Sequence, residues 1–201
     1  MTGTHIAPES VEAERETPKQ QVLVAALVAL VVFLAAALVL TATGHGPLAG
    51  KARAASSDVT IGVPTAMTEQ ELRAFSANSA IPVYWAGPRD GVTYEVTKTS
   101  DGSVFVRYLT NGVKVGDQTA SYLTVGTYYQ PGGYTALSTT SQEAKVSSST
   151  MRSGALVVQR EDSPGSTWFS FPDADFQVEV YHPEAGHSFT LVSNGDVAPL
   201  N

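Results

Sequence analysis

The amino-acid sequence predicts an α+β protein, in which one transmembrane helix precedes a domain built mainly on an antiparallel sheet with one or two short helices. Three observations support this fold class. Residues 22–40 are uniformly apolar, residues 58–198 contain many short β-type segments separated by Gly, Pro and Asp, and a segment near residue 70 carries the start signals of a helix. An all-β barrel or sandwich with an appended helix is the alternative.

The apolar stretch is long enough to cross a membrane. Its nineteen residues contain no charge, amide or proline, and as a helix they extend about 28 Å, close to a hydrocarbon thickness of about 30 Å. A cleaved secretion signal has a shorter apolar stretch behind a short basic segment. Here twenty-one residues with four acidic side chains precede the stretch, and the small-residue site at 52–54 begins twelve residues beyond Leu40. The stretch, extended to residue 42, is therefore predicted to remain as a signal anchor.

Basic residues near the span predict its orientation. Arg15 and Lys19 precede it and Lys51 and Arg53 follow it, so the simple counts are equal. Lys19 lies only three positions before Val22, and the nearer charge favours a cytoplasmic N-terminus. We therefore expect a single-pass protein of the cell membrane whose large C-terminal domain lies outside the cytoplasm.

Charge and composition divide the chain into four parts. Residues 1–21 form an acidic tail, 22–42 the transmembrane helix, 43–57 a flexible linker rich in Gly, Ala and Ser, and 58–198 one domain. The tail has four acids and two bases, and residues 43–201 have fifteen acids and ten bases, which accounts for the net charge of −7. With no basic cluster, the domain lacks the positive surface that binding to nucleic acid or anionic lipid requires.

The first part of the domain is predicted as strand, helix and strand. Residues 58–63 alternate apolar with polar side chains, which predicts a half-buried strand. Thr68 and Glu71 form the capping-box pattern and predict a helix over residues 69–78. Residues 81–85 follow as a second strand.

A hairpin is predicted for residues 91–109, and its loop length decides the register. A two-residue turn would place Val96 opposite Arg107, an apolar side chain against a charge. A three-residue loop over residues 100–102 pairs apolar with apolar and acid with base, and it places Gly102 in the left-handed conformation that such loops require. The predicted pairs are Val96 with Val106, Tyr94 with Tyr108, and Glu95 with Arg107.

The rest of the domain is predicted mainly as strands. A turn is expected at residues 131–133 and a short helix within 134–150, where many hydroxyl side chains compete for backbone hydrogen bonds. A loop over residues 172–175 pairs Phe169 with Val178. The remaining strands are predicted over residues 121–128, 154–161, 167–171, 175–182 and 188–193.

The motifs of common enzymes are missing from the sequence. With no cysteine, thiol nucleophiles and thiolate metal sites are excluded. The Gly-x-Ser-x-Gly, Ser-x-x-Lys and phosphate-loop patterns do not occur, although a Ser/His/Asp set assembled from distant positions stays open. Asp173 and Asp175 are interpreted as turn residues. We therefore predict no catalytic residue and no cofactor.

Two histidines of the domain lie close together in the segment "YHPEAGH". His182 and His187, with Glu184 between them, are residue types that bind metal ions. Pro183 and Gly186 prevent a helical spacing, however, and no third ligand is evident in the sequence. A polar loop without a metal ion is therefore the favoured interpretation.

The aromatic residues are the one unusual feature of the domain. All eight tyrosines and both tryptophans lie between residues 84 and 181. Exposed Tyr and Trp side chains suit protein contacts and stacking on sugar rings, whereas burial in the core or under loops is the alternative. A binding face built from Tyr84, Tyr128, Tyr129 and Trp168 is our hypothesis.

These features predict a membrane-anchored binding module rather than an enzyme. The layout of acidic tail, single span and Ser/Thr/Tyr-rich domain resembles bacterial single-pass envelope proteins in composition only. We expect a protein or envelope polysaccharide as the partner outside the cytoplasm. One alternative is a membrane-tethered hydrolase acting on envelope material, in which His182 or His187 would meet a carboxylate and a serine. Another is an accessory subunit of a membrane complex that is recognised through the span itself.

Overall fold

The computed structural model of the chain describes residues 59–110 and 112–201. Within these ranges, no helix has both the length and the apolar character needed to cross a bilayer. The predicted tail, span and linker lie outside the described residues.

Ten strands and three helices make up the described part of the chain. The strands are β1 (Thr65–Met67), β2 (Tyr84–Trp85), β3 (Val92–Lys98), β4 (Val104–Thr110), β5 (Thr124–Tyr129), β6 (Val146–Thr150), β7 (Leu156–Arg160), β8 (Ser166–Ser170), β9 (Phe176–Tyr181) and β10 (Ala198–Pro199). The helices are α1 (Glu69–Ala77), α2 (Gly133–Thr140) and α3 (His187–Asn194).

Eight of the strands form one antiparallel sheet in the order β1-β3-β4-β5-β9-β8-β7-β6. The first four of these belong to the N-terminal half of the domain and the last four to its C-terminal half, so the pairing of β5 with β9 joins the two halves. β2 and β10 form a separate antiparallel pair. The described residues therefore confirm a mainly antiparallel sheet with short helices, with three helices instead of one or two.

One face of the sheet carries the main core. Side chains at alternate positions of the central strands point to this face and are almost completely buried; they include Val96, Val106, Val125, Val178 and Val180. Burying a valine or a similar side chain stabilises the fold by about 1.5–3 kcal/mol. Helices α1 and α3 and the β2–β10 pair pack over this core face.

The β2–β10 pair is held on the core face by hydrogen bonds to buried groups. The N–H of Ala86 donates to the hydroxyl oxygen of Tyr108 at 2.6 Å, and the N–H of Tyr84 donates to that of Thr127 at 3.2 Å. The N–H of Leu200 donates to the carbonyl of Val83 at 2.8 Å, and the Leu200 side chain is buried. The last residues of the chain are therefore part of the domain.

Two local predictions are confirmed in detail. The hairpin of β3 and β4 has the predicted register, with Glu95 opposite Arg107, and Gly102 has a φ of +90°. Helix α1 begins with a capping box, in which Thr68 accepts from the N–H of Glu71 and the Glu71 carboxylate accepts from the N–H of Thr68. Both features depend on residues close together in the chain.

The strand predicted over residues 58–63 is wrong in its described part. A turn occupies this segment, in which the N–H of Val63 donates to the carbonyl of Thr60, and Gly62 has a φ of +76°. The side chains of Ile61 and Val63 are 57% and 47% exposed. Pairing with β3 begins only at Thr65, because the left-handed glycine interrupts the extended backbone.

The strand predicted over residues 188–193 is also wrong, because this segment forms helix α3. Its β-branched and aromatic side chains favour strands only weakly, and packing decides the outcome. Ser188 and Val192, four positions apart, are both buried, and Gly186 and Gly195 flank the helix with left-handed backbones. In the sequence, the spacing of four residues between Ser188 and Val192 and the glycine at position 195 were the signals that indicate a helix.

Two further predictions are correct only in part. The segment at 81–85 forms a strand only at Tyr84–Trp85, and this strand lies over the sheet instead of within it. The short helix predicted within residues 134–150 is present as α2, but the end of that segment forms the edge strand β6. Its four hydroxyl side chains are exposed, which a strand at the sheet edge permits.

The other face of the sheet, which we call the second face, holds a buried ion pair at one side. Nη1 of Arg107 is 2.7 Å from Oε1 of Glu95, and the two side chains are 8% and 1% exposed. The same guanidinium donates to the carbonyls of Asp117 and Thr119 at 2.6 and 2.9 Å. The Nε atom of Arg107 is buried without a partner. Through these hydrogen bonds, the ion pair holds the loop of residues 112–123 against the sheet.

Replacing Glu95 by Gln should lower the free energy of unfolding by about 3–5 kcal/mol, because it leaves the Arg107 charge buried without its partner. Urea denaturation of the full chain, followed by tryptophan fluorescence, measures this loss, since both tryptophans belong to the described domain. The control is Glu69→Gln, which breaks the exposed ion pair with Arg73 and should cost at most about 0.5 kcal/mol. Equal losses in the two variants would contradict the assigned role of the buried pair.

Candidate functional site

A patch of half-buried polar and aromatic side chains lies at the centre of the second face. It consists of Tyr128 on β5, Gln177, Glu179 and Tyr181 on β9, and Trp168 on β8, and we call it the central patch. The register makes these side chains neighbours, because Tyr128 lies opposite Gln177 and Trp168 lies opposite Glu179. All five are only partly buried.

Glu179 connects the strands on either side of β9. Its Oε2 accepts a hydrogen bond of 2.7 Å from the Tyr128 hydroxyl, and its Oε1 accepts one of 2.7 Å from the Ser166 hydroxyl. Burial raises the pKa of Tyr128 well above its ordinary value, and the nearby Glu179 carboxylate raises it further. Tyr128 therefore remains a neutral donor, and Glu179 is held in one position across three strands.

A glycine beside the Glu179 carboxylate leaves room for two neighbouring aromatic rings. Gly126 lies opposite Glu179 in the register. A Cβ atom at residue 126 would be 3.0 Å from the ring of Phe105 and 3.2 Å from that of Tyr128. The two rings, whose centres are 5.2 Å apart in an edge-to-face arrangement, therefore fill the space that a side chain at this position would need.

Covering elements flank the central patch on both sides. Helix α2 packs Leu137 against Leu156 and Val158, with Trp168 at the border of this small cluster. On the other side, the Tyr181 hydroxyl donates to the carbonyl of Ala120, in the loop of residues 112–123, at 2.7 Å. The patch is thus the less covered middle of a face that is covered at both sides.

The start of α2 makes a close approach to the sheet that requires glycine. A Cβ atom at Gly133 would lie 2.8 Å from the carbonyl oxygen of Phe176, which is closer than such contacts permit. Gly132, just before it, has a left-handed φ of +68°. The "PGG" sequence thus sets where α2 lies relative to β9, and so how much of the central patch the helix leaves open.

The four aromatic residues predicted as one binding face are divided by the structure. Tyr84 is 6% exposed and packs edge-to-face on Phe169 at 5.4 Å between ring centres, so it belongs to the core face. Tyr129 is 48% exposed but lies opposite Phe176, on the alternate side of β5 from Tyr128. Tyr128 and Trp168 lie together in the central patch.

Gln177, Glu179 and Tyr181 are not among the residues predicted from the sequence, although the pattern of β9 contains a signal for the first two. In "FQVEVY", polar Gln177 and Glu179 alternate with Val178 and Val180, which are fully buried. Such alternation indicates that one face of a strand is not packed in an apolar core. The alternation does not reveal that β9 lies at the centre of the sheet.

A second group of polar side chains lies where β9 ends and α3 begins. His182, Glu184 and His187, for which a polar loop was predicted, have donor atoms within 4.8 Å of one another. Burial lowers the pKa of His182, and the neighbouring His187 lowers it further. Nδ1 of His182 accepts the N–H of Glu184 at 3.0 Å.

Comparisons of the chain with protein-family models, with curated proteins and with solved structures find no match. A functional conclusion therefore depends on the chain's own residues. The central patch combines two tyrosines and a tryptophan with an amide and a carboxylate that is hydrogen-bonded at both oxygens.

Replacing Gly126 by Ala should lower the free energy of unfolding by about 1–3 kcal/mol, because the added methyl group forces the Phe105 and Tyr128 rings apart. Urea denaturation followed by tryptophan fluorescence measures the change. In a Phe105→Leu background the same substitution should cost less, since the ring at 3.0 Å is gone. A gain of about 0.4–1 kcal/mol, the usual effect of an unhindered Gly→Ala change, would show that this packing is wrong.

Proposed function

We propose that the chain is a membrane-anchored binding module whose domain lies outside the cytoplasm and binds a protein or an envelope polysaccharide through the central patch. The observation that carries the proposal is the partial exposure of five polar and aromatic side chains on the three central strands of the second face. The apolar stretch at residues 22–42 supports the anchoring. The acidic composition, without a run of basic residues in the sequence, argues against binding to nucleic acid.

Central strands are ordinarily the best-covered part of a sheet. Here α2 and the loop of residues 112–123 reach the two sides of the central patch, and its five side chains are left only partly buried. Tyr and Trp supply large contact areas with few rotatable bonds, and they are enriched in protein interfaces. Glu179 and Gln177 add an acceptor and an amide for directional hydrogen bonds.

The predicted anchor and linker support a binding function because they raise the effective concentration of the domain near its partners. A domain tethered to the membrane meets membrane-bound or envelope partners at a high effective concentration. The Gly-, Ala- and Ser-rich linker at residues 43–57 suits a flexible tether that lets the patch reorient.

The serine next to His187 does not supply the nucleophile that the hydrolase alternative requires. His187 contacts a carboxylate, with Nδ1 3.1 Å from Oε2 of Glu184. The adjacent Ser188 is buried, however, and its hydroxyl hydrogen-bonds to that of Thr167 at 2.9 Å. This serine therefore faces the core instead of the imidazole pair.

A photocrosslinking amino acid placed at Gln177 should capture the partner in intact cells, because the residue lies in the central patch. Mass spectrometry of the crosslinked material, together with analysis of bound glycan, identifies the partner. Adding Glu179→Gln should reduce the yield severalfold, since it removes the charged acceptor from the patch.

The control position for this experiment is Thr190, which is exposed on α3 over the core face. The same crosslinker there should not capture the partner. Equal capture at both positions, or capture at Gln177 that Glu179→Gln leaves unchanged, would contradict a binding role of the central patch.

A protease that does not enter cells should remove the domain from intact cells and leave a membrane-bound fragment containing residues 22–42. The expected orientation places the domain outside because Lys19 lies closest to the span. Immunoblotting against tags at both ends measures this, with a known cytoplasmic protein as the protected control. A protected domain, or a mature chain released into the medium that begins near Ala55, would overturn the anchoring.

A further inference from the structure

Two imidazoles and a carboxylate converge where β9 ends and α3 begins. The ring centres of His182 and His187 are 4.7 Å apart. Nδ1 of His187 is 3.1 Å from Oε2 of Glu184, and Nδ1 of His182 accepts the N–H of Glu184 at 3.0 Å. The hydrogen bond occupies Nδ1 of His182, so Nε2 is the nitrogen of this ring that remains for a metal ion. One ligand atom from each of the three side chains lies within 4.8 Å of the other two.

Backbone contacts hold the segment that carries these side chains. The N–H of His182 donates to the carbonyl of Gly165 at 2.9 Å, and the N–H of Gly186 donates to that of Pro164 at 3.2 Å. A Cβ atom at Gly165 would lie 2.8 Å from the carbonyl oxygen of His182, so this close approach requires glycine. The backbone is therefore ordered before any ligand binds, which lowers the entropic cost of binding.

The donor atoms of these three side chains indicate which class of metal ion the site would bind. Imidazole nitrogen and carboxylate oxygen are the ligands of Zn²⁺ and the neighbouring divalent transition metals, whereas Mg²⁺ and Ca²⁺ prefer oxygen ligands. Bonds of about 2.0–2.2 Å to zinc place adjacent donors of a tetrahedral site roughly 3.4 Å apart. The side chains of His187 and Glu184 are 56% and 70% exposed, so they are free to rotate over the remaining distance.

We propose that His182, Glu184 and His187 bind one divalent transition-metal ion of the zinc type. The site goes beyond the proposed binding function, because it lies past Tyr181 at the end of β9 and contains no side chain of the central patch. Three protein ligands leave at least one coordination position for water or for a group of a bound molecule. The carboxylate also offsets part of the ion's charge.

Titration of the full chain in detergent micelles with Zn²⁺, measured by calorimetry, tests the site. The wild type should bind one Zn²⁺ more tightly than the His187→Ala and His182→Ala variants, by at least tenfold, and Glu184→Gln should weaken binding by a smaller factor. Co²⁺ in the same site should give the intense visible absorption of a four-coordinate ion in the wild type and not in His187→Ala.

Matched variants separate this site from the other histidines and carboxylates of the chain. His5→Ala, His45→Ala and Glu161→Gln should leave the affinity for Zn²⁺ unchanged, and Mg²⁺ should not bind. An unchanged urea midpoint without metal would confirm that His187→Ala, a change of an exposed side chain, leaves the fold intact. Wild-type affinity in the His182→Ala/His187→Ala double variant would overturn the proposal.

Discussion

The pairing of β5 with β9 is the contact on which the rest of the domain depends, because it joins two four-stranded halves into one sheet. Its register places Val125 opposite Val180 and Thr127 opposite Val178, so the apolar rows of both halves meet and form one continuous core. A slip of one residue would move every side chain of β9 to the opposite face. The core, the position of α3 and the composition of the second face all follow from this register.

The same register determines the character of the second face. It places Glu179 opposite Gly126, within reach of hydroxyl groups on both neighbouring strands. A charged side chain at the centre of a sheet is stable only where it is hydrogen-bonded and partly open to water. Covering elements pack on this face through the cluster under α2 and the Glu95–Arg107 pair under the loop of residues 112–123, and they leave the Glu179 side chain partly exposed. The opening that supports the proposed binding role is a consequence of where the polar residues of β9 lie.

The agreement between sequence and structure is best where the deciding interactions are local. In the β3–β4 hairpin, loop length and the match of Glu95 with Arg107 discriminate between two registers over fewer than twenty residues. The segment of α3 shows the opposite case, since its composition favours a strand and its packing favours a helix. Intrinsic preferences differ by less than about 1 kcal/mol per residue, and the burial of Val192 against the sheet outweighs them. In the segment at 59–63, a single left-handed glycine outweighs an alternating pattern.

The sequence by itself determined the mainly antiparallel α+β class of the domain, the capping box of α1, the hairpin register and the acidic charge balance, because each depends on composition or on neighbours in the chain. Only the tertiary structure decided which aromatic residues share a face: it buried Tyr84 in the core and placed Tyr128 and Trp168 on either side of Glu179. It also brought His182 and His187 together across the end of β9, a turn and the start of α3, although their spacing in the sequence does not place them on one face of a helix. The order of strands in a sheet depends on contacts between residues far apart in the chain, and a local pattern contains no information about them.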